Sequence, residues 1–171
     1  MSELEWMDVE DARELLVERG VFAKIGWWPS GFGHGPAIVH RGSTSVPALR
    51  LDYGALGASG IIVDGDLVVE GVIQNGEQDS GPFLVVCGNL TVDNIAIAGA
   101  PLHVAGNVRM SGAFHGYCNH GTATVEGDIE AQALLVDDYF FGVGGEVKAP
   151  LVSSRGHLSL ARPVALRDAE E

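Results

Sequence analysis

The chain has 171 residues, is 46% hydrophobic and contains 24 glycines, a composition that argues against disorder and favours one domain of short strands and tight turns. Its 23 acidic residues outnumber its 10 basic residues, and the formal net charge of −13 disfavours nucleic acid and anionic lipid surfaces as partners. The two cysteines provide no disulfide framework, and neither a secretion signal nor a long apolar run occurs, so a cytoplasmic location is expected.

Residues 1–48 are expected to form a folded N-terminal cap. Asp8 is a suitable N-cap for a helix over about 8–19, and Gly20 is suited to end it. The segment 26–36 then holds aromatic residues among glycines and prolines. Two interpretations apply to it, an aromatic ligand platform and an apolar plug under the first coil, and the plug is favoured.

A repeat occupies the middle of the chain. Five segments share the pattern apolar–x–Gly–(Asp/Asn/Glu)–apolar–x–apolar: VDGDLVV at 63–69, VCGNLTV at 86–92, VAGNVRM at 104–110, VEGDIEA at 125–131 and VGGEVKA at 143–149. Their glycines are separated by 23, 18, 21 and 18 residues.

Apolar residues also recur every six positions, for example from Leu84 through Leu90, Ala96 and Leu102. Two inward positions in every six residues describe one strand followed by a corner. Three such sides make a coil of roughly 18 residues, and coils stack at the strand spacing. The sequence therefore predicts an all-β fold, a three-sided parallel β-solenoid over 49–166, followed by a charged tail at 167–171.

These coils resemble those of the bactofilins, a family of polymer-forming bacterial cytoskeletal β-solenoids. The resemblance covers residues 61–148 and lies in the VxG(D/N)(L/V)xV motif. It implies a right-handed triangular solenoid that has no nucleotide and no catalytic residues and that polymerises through exposed terminal coils. The N-terminal segment departs from the family, because a cap on the end of the solenoid favours a closed particle.

The repeat steps longer than 18 locate two insertions, one in 74–82 and one in 114–120. Both follow their anchor glycines by similar distances, so they are expected to project from the same edge of the solenoid, with residues 137–139 nearby on the next coil. The predicted protein-binding edge consists of Glu77, Asp79, His115, Tyr117, His120, Asp137, Asp138 and Tyr139, with Cys118 beside them.

Three functions are considered for this edge. His115 and His120 have the spacing of two zinc ligands in the gamma carbonic anhydrases, which are also β-solenoids. A third histidine is needed, and His103 is expected to face outward on a strand. A hexapeptide-repeat acyltransferase with a histidine base is the second option, but those proteins have a stricter repeat. No cofactor and no metal are therefore expected, and His115 and His120 are the residues to consider if a metal binds.

The third option, a binding surface, is preferred. Between residues 61 and 150 there are 12 acidic residues and two basic ones, a net charge of −10. Loops and insertions of repeat proteins commonly carry recognition. The sequence thus favours a non-enzymatic acidic module that binds a basic protein, for example as an inhibitor or immunity protein. A self-polymerising scaffold is the alternative, and a solenoid enzyme is the second alternative.

A column of turn residues leaves two interpretations open. Asp66, Asn89, Asn107, Asp128 and Glu146 occupy the same place in the five repeats. Stacked carboxylates and amides could bind calcium. They are also residues that favour turn geometry without any ion.

Overall fold

The computed structural model describes residues 4–29 and 35–161. Parallel strands wind into a β-solenoid of about six turns with coils of about 20 residues, which confirms the predicted all-β solenoid. Phe32 and His34 of the aromatic segment lie outside the described residues, as do 162–171 with the predicted charged tail.

The elements follow one another in short steps. The first are β1 (Leu4–Met7), α1 (Val9–Glu18), a 3₁₀ turn (Phe22–Lys24), β2 (Ala37–Arg41), β3 (Thr44–Val46), β4 (Leu49–Arg50) and the one-turn helix α2 (Tyr53–Leu56). The middle strands are β5 (Gly60–Asp64), β6 (Leu67–Gln74), β7 (Phe83–Val86), β8 (Leu90–Ile97), β9 (Leu102–Val104), β10 (Val108–Met110) and β11 (Ala113–Gly116). The last are β12 (Thr122–Val125), β13 (Ile129–Glu130), β14 (Ala133–Val136), β15 (Phe140–Val143), β16 (Val147–Lys148), β17 (Leu151–Ser154) and β18 (His157–Leu160).

The strands form three faces around one core. The first face stacks β2, β5, β7, β9, β12, β15 and β18 in parallel. The second consists of β3, the first halves of β6 and β8, and β10, β13 and β16. The third consists of β4, the second halves of β6 and β8, and β11, β14 and β17. Inward aliphatic side chains from all three faces make the core.

The register confirms the alignment of the repeats. Leu67 pairs with Leu90, Leu90 with Val108, Val108 with Ile129, and Ile129 with Val147. These pairs have the separations of 23, 18, 21 and 18 residues found between the anchor glycines. Equivalent positions therefore lie directly above one another, and their side chains form continuous columns.

The six-residue spacing is wrong on the third face, where the inward residue comes one position early. Ile95 is buried and Ala96 only partly so, although the pattern placed Ala96 inward. On a later coil Leu134 is buried where Leu135 was expected. The corner between the second and third faces is one residue shorter than a strict period requires.

The turn column forms a ladder of hydrogen bonds. The side-chain oxygen of Asp66 accepts from the backbone N–H of Asn89 at 2.7 Å, and that of Asn89 accepts from Asn107 at 2.9 Å. The same contact recurs from Asn107 to Asp128 and from Asp128 to Glu146, both at 2.8 Å. Stacking of turn residues therefore accounts for this column without calcium, because one oxygen of each acceptor already serves the next coil.

The anchor glycines permit this close stacking. A Cβ on Gly106 would lie 2.5 Å from the carbonyl oxygen of Gly88 in the coil beneath, too close for any real side chain. Gly106 is not among the glycines with positive φ. The position thus requires glycine for space and not for an unusual backbone conformation.

The helix α1 forms as predicted but does not plug the end of the solenoid. Asp8 caps it through a 2.9 Å hydrogen bond from the Glu10 N–H, and Gly20 follows it at φ 70°. Its buried residues pack in one cluster with the outward side chains of β2, β5 and β7, among them Ile62 and Val85. The helix therefore lies on the side of the first face, because those strands are apolar on both surfaces. No helix in the described residues has the length and apolar character needed to cross a membrane.

The aromatic residues Trp27 and Trp28 join this lateral cluster. Their rings lie 5.7 and 5.1 Å from the ring of Phe83 on β7. The described part of the aromatic segment thus packs against the first face, and the expected position under the first coil is wrong for it. The reason is the same as for α1, since β7 has all four residues buried and needs a cover on its outer surface.

The first coil begins inside the segment assigned to the cap. β2 pairs in parallel with β5 from Ala37 onward, so parallel stacking starts upstream of residue 49. His40 occupies the valine column of the repeat and is 6% exposed, with its Nδ1 at 3.1 Å from the Gly42 carbonyl oxygen. β1 pairs antiparallel with β2 and covers that edge of the first face.

Candidate functional site: the loop corner

The insertions project where the third face returns to the first. We call this region the loop corner and define it as residues 75–82, 117–121 and 137–138. One extra residue of the first insertion lies elsewhere, because the β6–β8 register shifts between Val69 and Val72. The predicted edge therefore exists, with a slightly shorter first loop.

Asn75 holds the first loop to its neighbouring coils. Its side chain is 1% exposed and donates to the Leu51 carbonyl oxygen at 2.7 Å. Its Oδ1 accepts from the N–H groups of Ala98 and Ala100 at 3.3 and 3.1 Å. One amide thus joins three successive coils. Sequence reasoning missed Asn75, although a polar residue two positions after the inward Ile73 was a usable signal.

Asp52 anchors the same loop from the first coil. Its Oδ1 accepts from the Gly76 N–H at 2.8 Å, and its other oxygen is hydrogen-bonded to Arg50. Burial alone would raise the pKa of Asp52, but the bonds from Arg50 and Gly76 outweigh it and hold that pKa below its usual value. Glu77 accepts from the Tyr53 N–H at 3.0 Å, so this predicted edge residue points toward the first coil.

The second loop rests on the first. The Tyr117 hydroxyl donates to the Asn75 carbonyl oxygen at 2.8 Å. The Gly121 N–H donates to the Cys118 carbonyl oxygen at 2.9 Å and closes a tight turn. The His115 ring lies 5.1 Å from the Tyr117 ring. Tyr117 and His115 are half-buried, so they line the loop corner without projecting from it.

The two loops meet across the coil between them. The His120 Nδ1 lies 3.2 Å from the Asp79 Oδ1. The potential ligand atoms of Asp79, Cys118 and His120 all lie within 4.8 Å of one another. His115, which the spacing paired with His120, is not part of this group. Loop contacts between coils, rather than separation along the chain, decide which donors meet.

Asp137 and Asp138 continue the loop corner on the next coil. The Asp137 N–H donates to the Gly116 carbonyl oxygen at 2.8 Å, which places it beside the second loop. Both aspartates are exposed, and Asp138 has a φ of 49°. Neither side chain forms an ion pair with any residue in the described ranges.

Tyr139 is not an edge residue. It is 0% exposed, and its ring contacts that of Phe114 at 5.8 Å within the core. Gly116 and Gly121 leave room for it, since a Cβ on either would lie within 2.6 Å of the ring. Burial, and secondarily the neighbouring Cys118, raises the pKa of the Tyr139 hydroxyl well above its usual value.

His103 does face away from the core, yet it is also fully buried. Its Nδ1 lies 2.6 Å from the Thr124 hydroxyl and its Nε2 lies 2.8 Å from a carboxylate oxygen of Glu126. Lys24 donates to the other oxygen of Glu126 at 2.7 Å. Burial lowers the pKa of His103, against the opposing effect of Glu126. With both ring nitrogens engaged on the first face, His103 does not supply a third ligand to the loop corner.

Comparisons of the chain with protein-family models, with curated proteins and with solved structures each returned no match. The bactofilin resemblance therefore stays a similarity of coil pattern, and the β-solenoid is what is shown.

Proposed function

We propose that this chain is a non-enzymatic binding module whose loop corner recognises a basic surface of another protein. The observation that carries the proposal is the meeting of loops from several coils at one corner with exposed acidic side chains. Asp79 has 84% of its side chain exposed, and Asp137 and Asp138 lie exposed beside it.

The charge of the surrounding solenoid supports a basic partner. Residues 61–150 contain 12 acidic and two basic residues, a net of −10. Arg50, the cation nearest the first loop, is already engaged by Asp52. Such an excess of negative charge accelerates association with a positive surface and disfavours acidic partners.

The rigidity of the loops supports recognition as well. Asn75, Asp52 and Tyr117 tie them to neighbouring coils through direct hydrogen bonds. Loops that are already ordered lose less conformational entropy when a partner binds. A cytoplasmic inhibitor or immunity protein that covers a basic toxin is the form of this function that we favour.

The test compares two charge-matched variants. Asp137→Asn with Asp138→Asn removes two negative charges from the loop corner, and asparagine tolerates the positive φ of Asp138. Glu14→Gln with Glu70→Gln removes two exposed charges elsewhere. Partners captured by the wild type are purified, and their association rates are measured at several salt concentrations.

We expect a partner with a basic surface, whose association with the loop-corner variant is slower by roughly 10-fold and less sensitive to salt. The control variant is expected to associate at close to the wild-type rate. Equal slowing in both variants would show that only net charge matters. A partner set without basic proteins, or one unaffected by the loop-corner variant, would refute the proposal.

Self-assembly is the second candidate, because one end of the described solenoid is open. Among the described strands, β16, β17 and β18 are each the last in their row. Leu151 on β17 is 54% exposed. An unpaired strand edge is a template for another chain, which is the behaviour that the bactofilin resemblance implies.

Sedimentation velocity over a range of concentrations tests this candidate. If copies stack through β17, the chain forms an open series of sizes, and Leu151→Lys shifts the distribution toward the monomer. Thr91→Lys, on an exposed position of β8 in the middle of the solenoid, is the control for the added charge. A single sharp species at every concentration would rule out polymerisation.

A further inference from the structure

We propose that Asp79, Cys118 and His120 form a binding site for one zinc-like divalent cation. The inference does not rest on the protein-binding proposal. Its first support is geometric, since the three ligand atoms lie within 4.8 Å of one another. Ligands of a tetrahedral zinc ion lie roughly 3 to 4 Å apart, given zinc–ligand bonds of about 2.0 to 2.3 Å. Only small side-chain movements are therefore needed.

The chemistry of the three donors selects the kind of metal. A thiolate, an imidazole and a carboxylate are the ligands that zinc takes in proteins. Calcium and magnesium prefer oxygen ligands alone, so the thiol and imidazole disfavour both. Borderline and soft divalent ions such as Zn²⁺ and Co²⁺ are the class that this set fits.

The site is built by the fold and not by sequence proximity. Asp79 and His120 are 41 residues apart and come from loops two coils apart. The coil between them carries Gly99 at the crossing point, where a Cβ would lie 2.6 Å from the carbonyl carbon of Asp79. Any side chain at that position would push the first loop away from Cys118.

The supporting hydrogen bonds hold the ligands in place. The Tyr117 hydroxyl fixes the start of the second loop on Asn75, and the Cys118–Gly121 turn orients the residues between them. A site held by such contacts pays little to organise itself around an ion. This distinguishes the cluster from acidic residues that merely share a surface.

Three protein ligands leave one position of a tetrahedral ion open. The side chains of Asp79 and His120 are 84% and 58% exposed, so water reaches the site. Binding replaces the direct contact between Asp79 and His120 by bonds from each to the metal. It also displaces the Cys118 thiol proton into solvent, so affinity is expected to fall as pH is lowered.

The experiment uses the untagged full chain after treatment with a chelator. Zn²⁺ binding is measured by calorimetry, and Co²⁺ binding is followed by the thiolate-to-metal absorption that reports a cysteine ligand. We expect one ion per chain. Cys118→Ser, His120→Ala and Asp79→Asn should each weaken Zn²⁺ binding, the first two by more than about 100-fold, which exceeds the typical loss of an outer-shell partner.

Cys87→Ser and His115→Ala are the matched controls, because each removes a residue of the same kind outside the cluster. Both should bind Zn²⁺ as the wild type does. Retention of binding in Cys118→Ser, loss of binding in His115→Ala, or no stoichiometric binding to the wild type would each overturn the proposal. Circular dichroism of every variant checks that the solenoid is folded, so that a loss of binding reports the ligand.

Discussion

Two buried polar side chains show how much of this solenoid depends on single residues. His103 on β9 is fully buried with both ring nitrogens engaged, and Asn75 joins three coils through one amide. A buried polar group that loses its partner costs about 1 to 3 kcal/mol. These two positions, rather than the repeated valines, are where the stability of the fold responds most strongly to chemistry.

His103 predicts a pH dependence of stability. Burial lowers its pKa in the folded protein, so the unfolded chain binds more protons at this site as pH falls. Its contribution is complete above the unfolded pKa of about 6.5 and is lost progressively below it. The groups facing it are Glu126, Thr124 and, through Glu126, Lys24.

We expect the free-energy difference of unfolding between wild type and His103→Gln to shrink between pH 7 and pH 5. Urea unfolding at several pH values measures it, and nuclear magnetic resonance of the imidazole reports its protonation directly. A difference that stays constant over this range, or a His103 ring that titrates as in an unfolded peptide, would contradict the prediction.

The sequence predicts residues of the core better than residues of the loop corner. The valine column follows from local alternation and was placed correctly. Tyr139 was misplaced because two aspartates precede it and the space it fills is made by Gly116 and Gly121 of the preceding coil. Pockets formed between coils have no signature in the neighbouring sequence.

At the scale of elements, the tight stacking of corners replaces the usual demand for turn conformation. Gly106→Ala would place a Cβ 2.5 Å from the Gly88 carbonyl oxygen, so one coil would have to move. We expect a loss of about 1 to 3 kcal/mol in the free energy of unfolding, the usual cost of overpacking.

Gly142→Ala is the matched control for this prediction. A Cβ at Gly142 would lie 3.5 Å from the Thr124 Cγ2, an ordinary contact, so the substitution should change stability by less than about 1 kcal/mol. Denaturant unfolding of both variants provides the comparison. Equal stabilities for the two would mean that the corner adjusts freely and that close stacking does not explain the glycine.

The position of α1 illustrates what element patterns can and cannot predict. Its cap at Asp8, its length and its end at Gly20 follow local rules and are confirmed. Its docking place does not follow from the helix, because the apolar face fits any apolar surface. The usable signal lay in β7, whose consecutive apolar residues indicate a strand covered on both sides.

For the whole molecule, stacking of coils implies that stability varies along the solenoid axis. A coil with two neighbours is held more firmly than a coil with one. We expect amide hydrogens of β8 to exchange slowest and those of β18 to exchange much faster, because β18 ends its row among the described strands.

Hydrogen exchange followed by mass spectrometry measures this gradient, with protein concentration as the control variable. Protection of β18 that rises with concentration would indicate stacking of copies at that end. Uniform exchange along the axis would show that the solenoid unfolds as one unit, contrary to the expected gradient.

The lateral position of α1 also constrains how the chain is made. Synthesis delivers α1 first, but Lys24 must wait for Glu126, 102 residues later, before their ion pair can form. At roughly 5 to 20 residues per second this delay is on the order of ten seconds. Throughout that time Leu15 and Leu16 have no complete surface to cover them. The newly made N-terminus is therefore the part of this protein that most needs a chaperone or a slow ribosome.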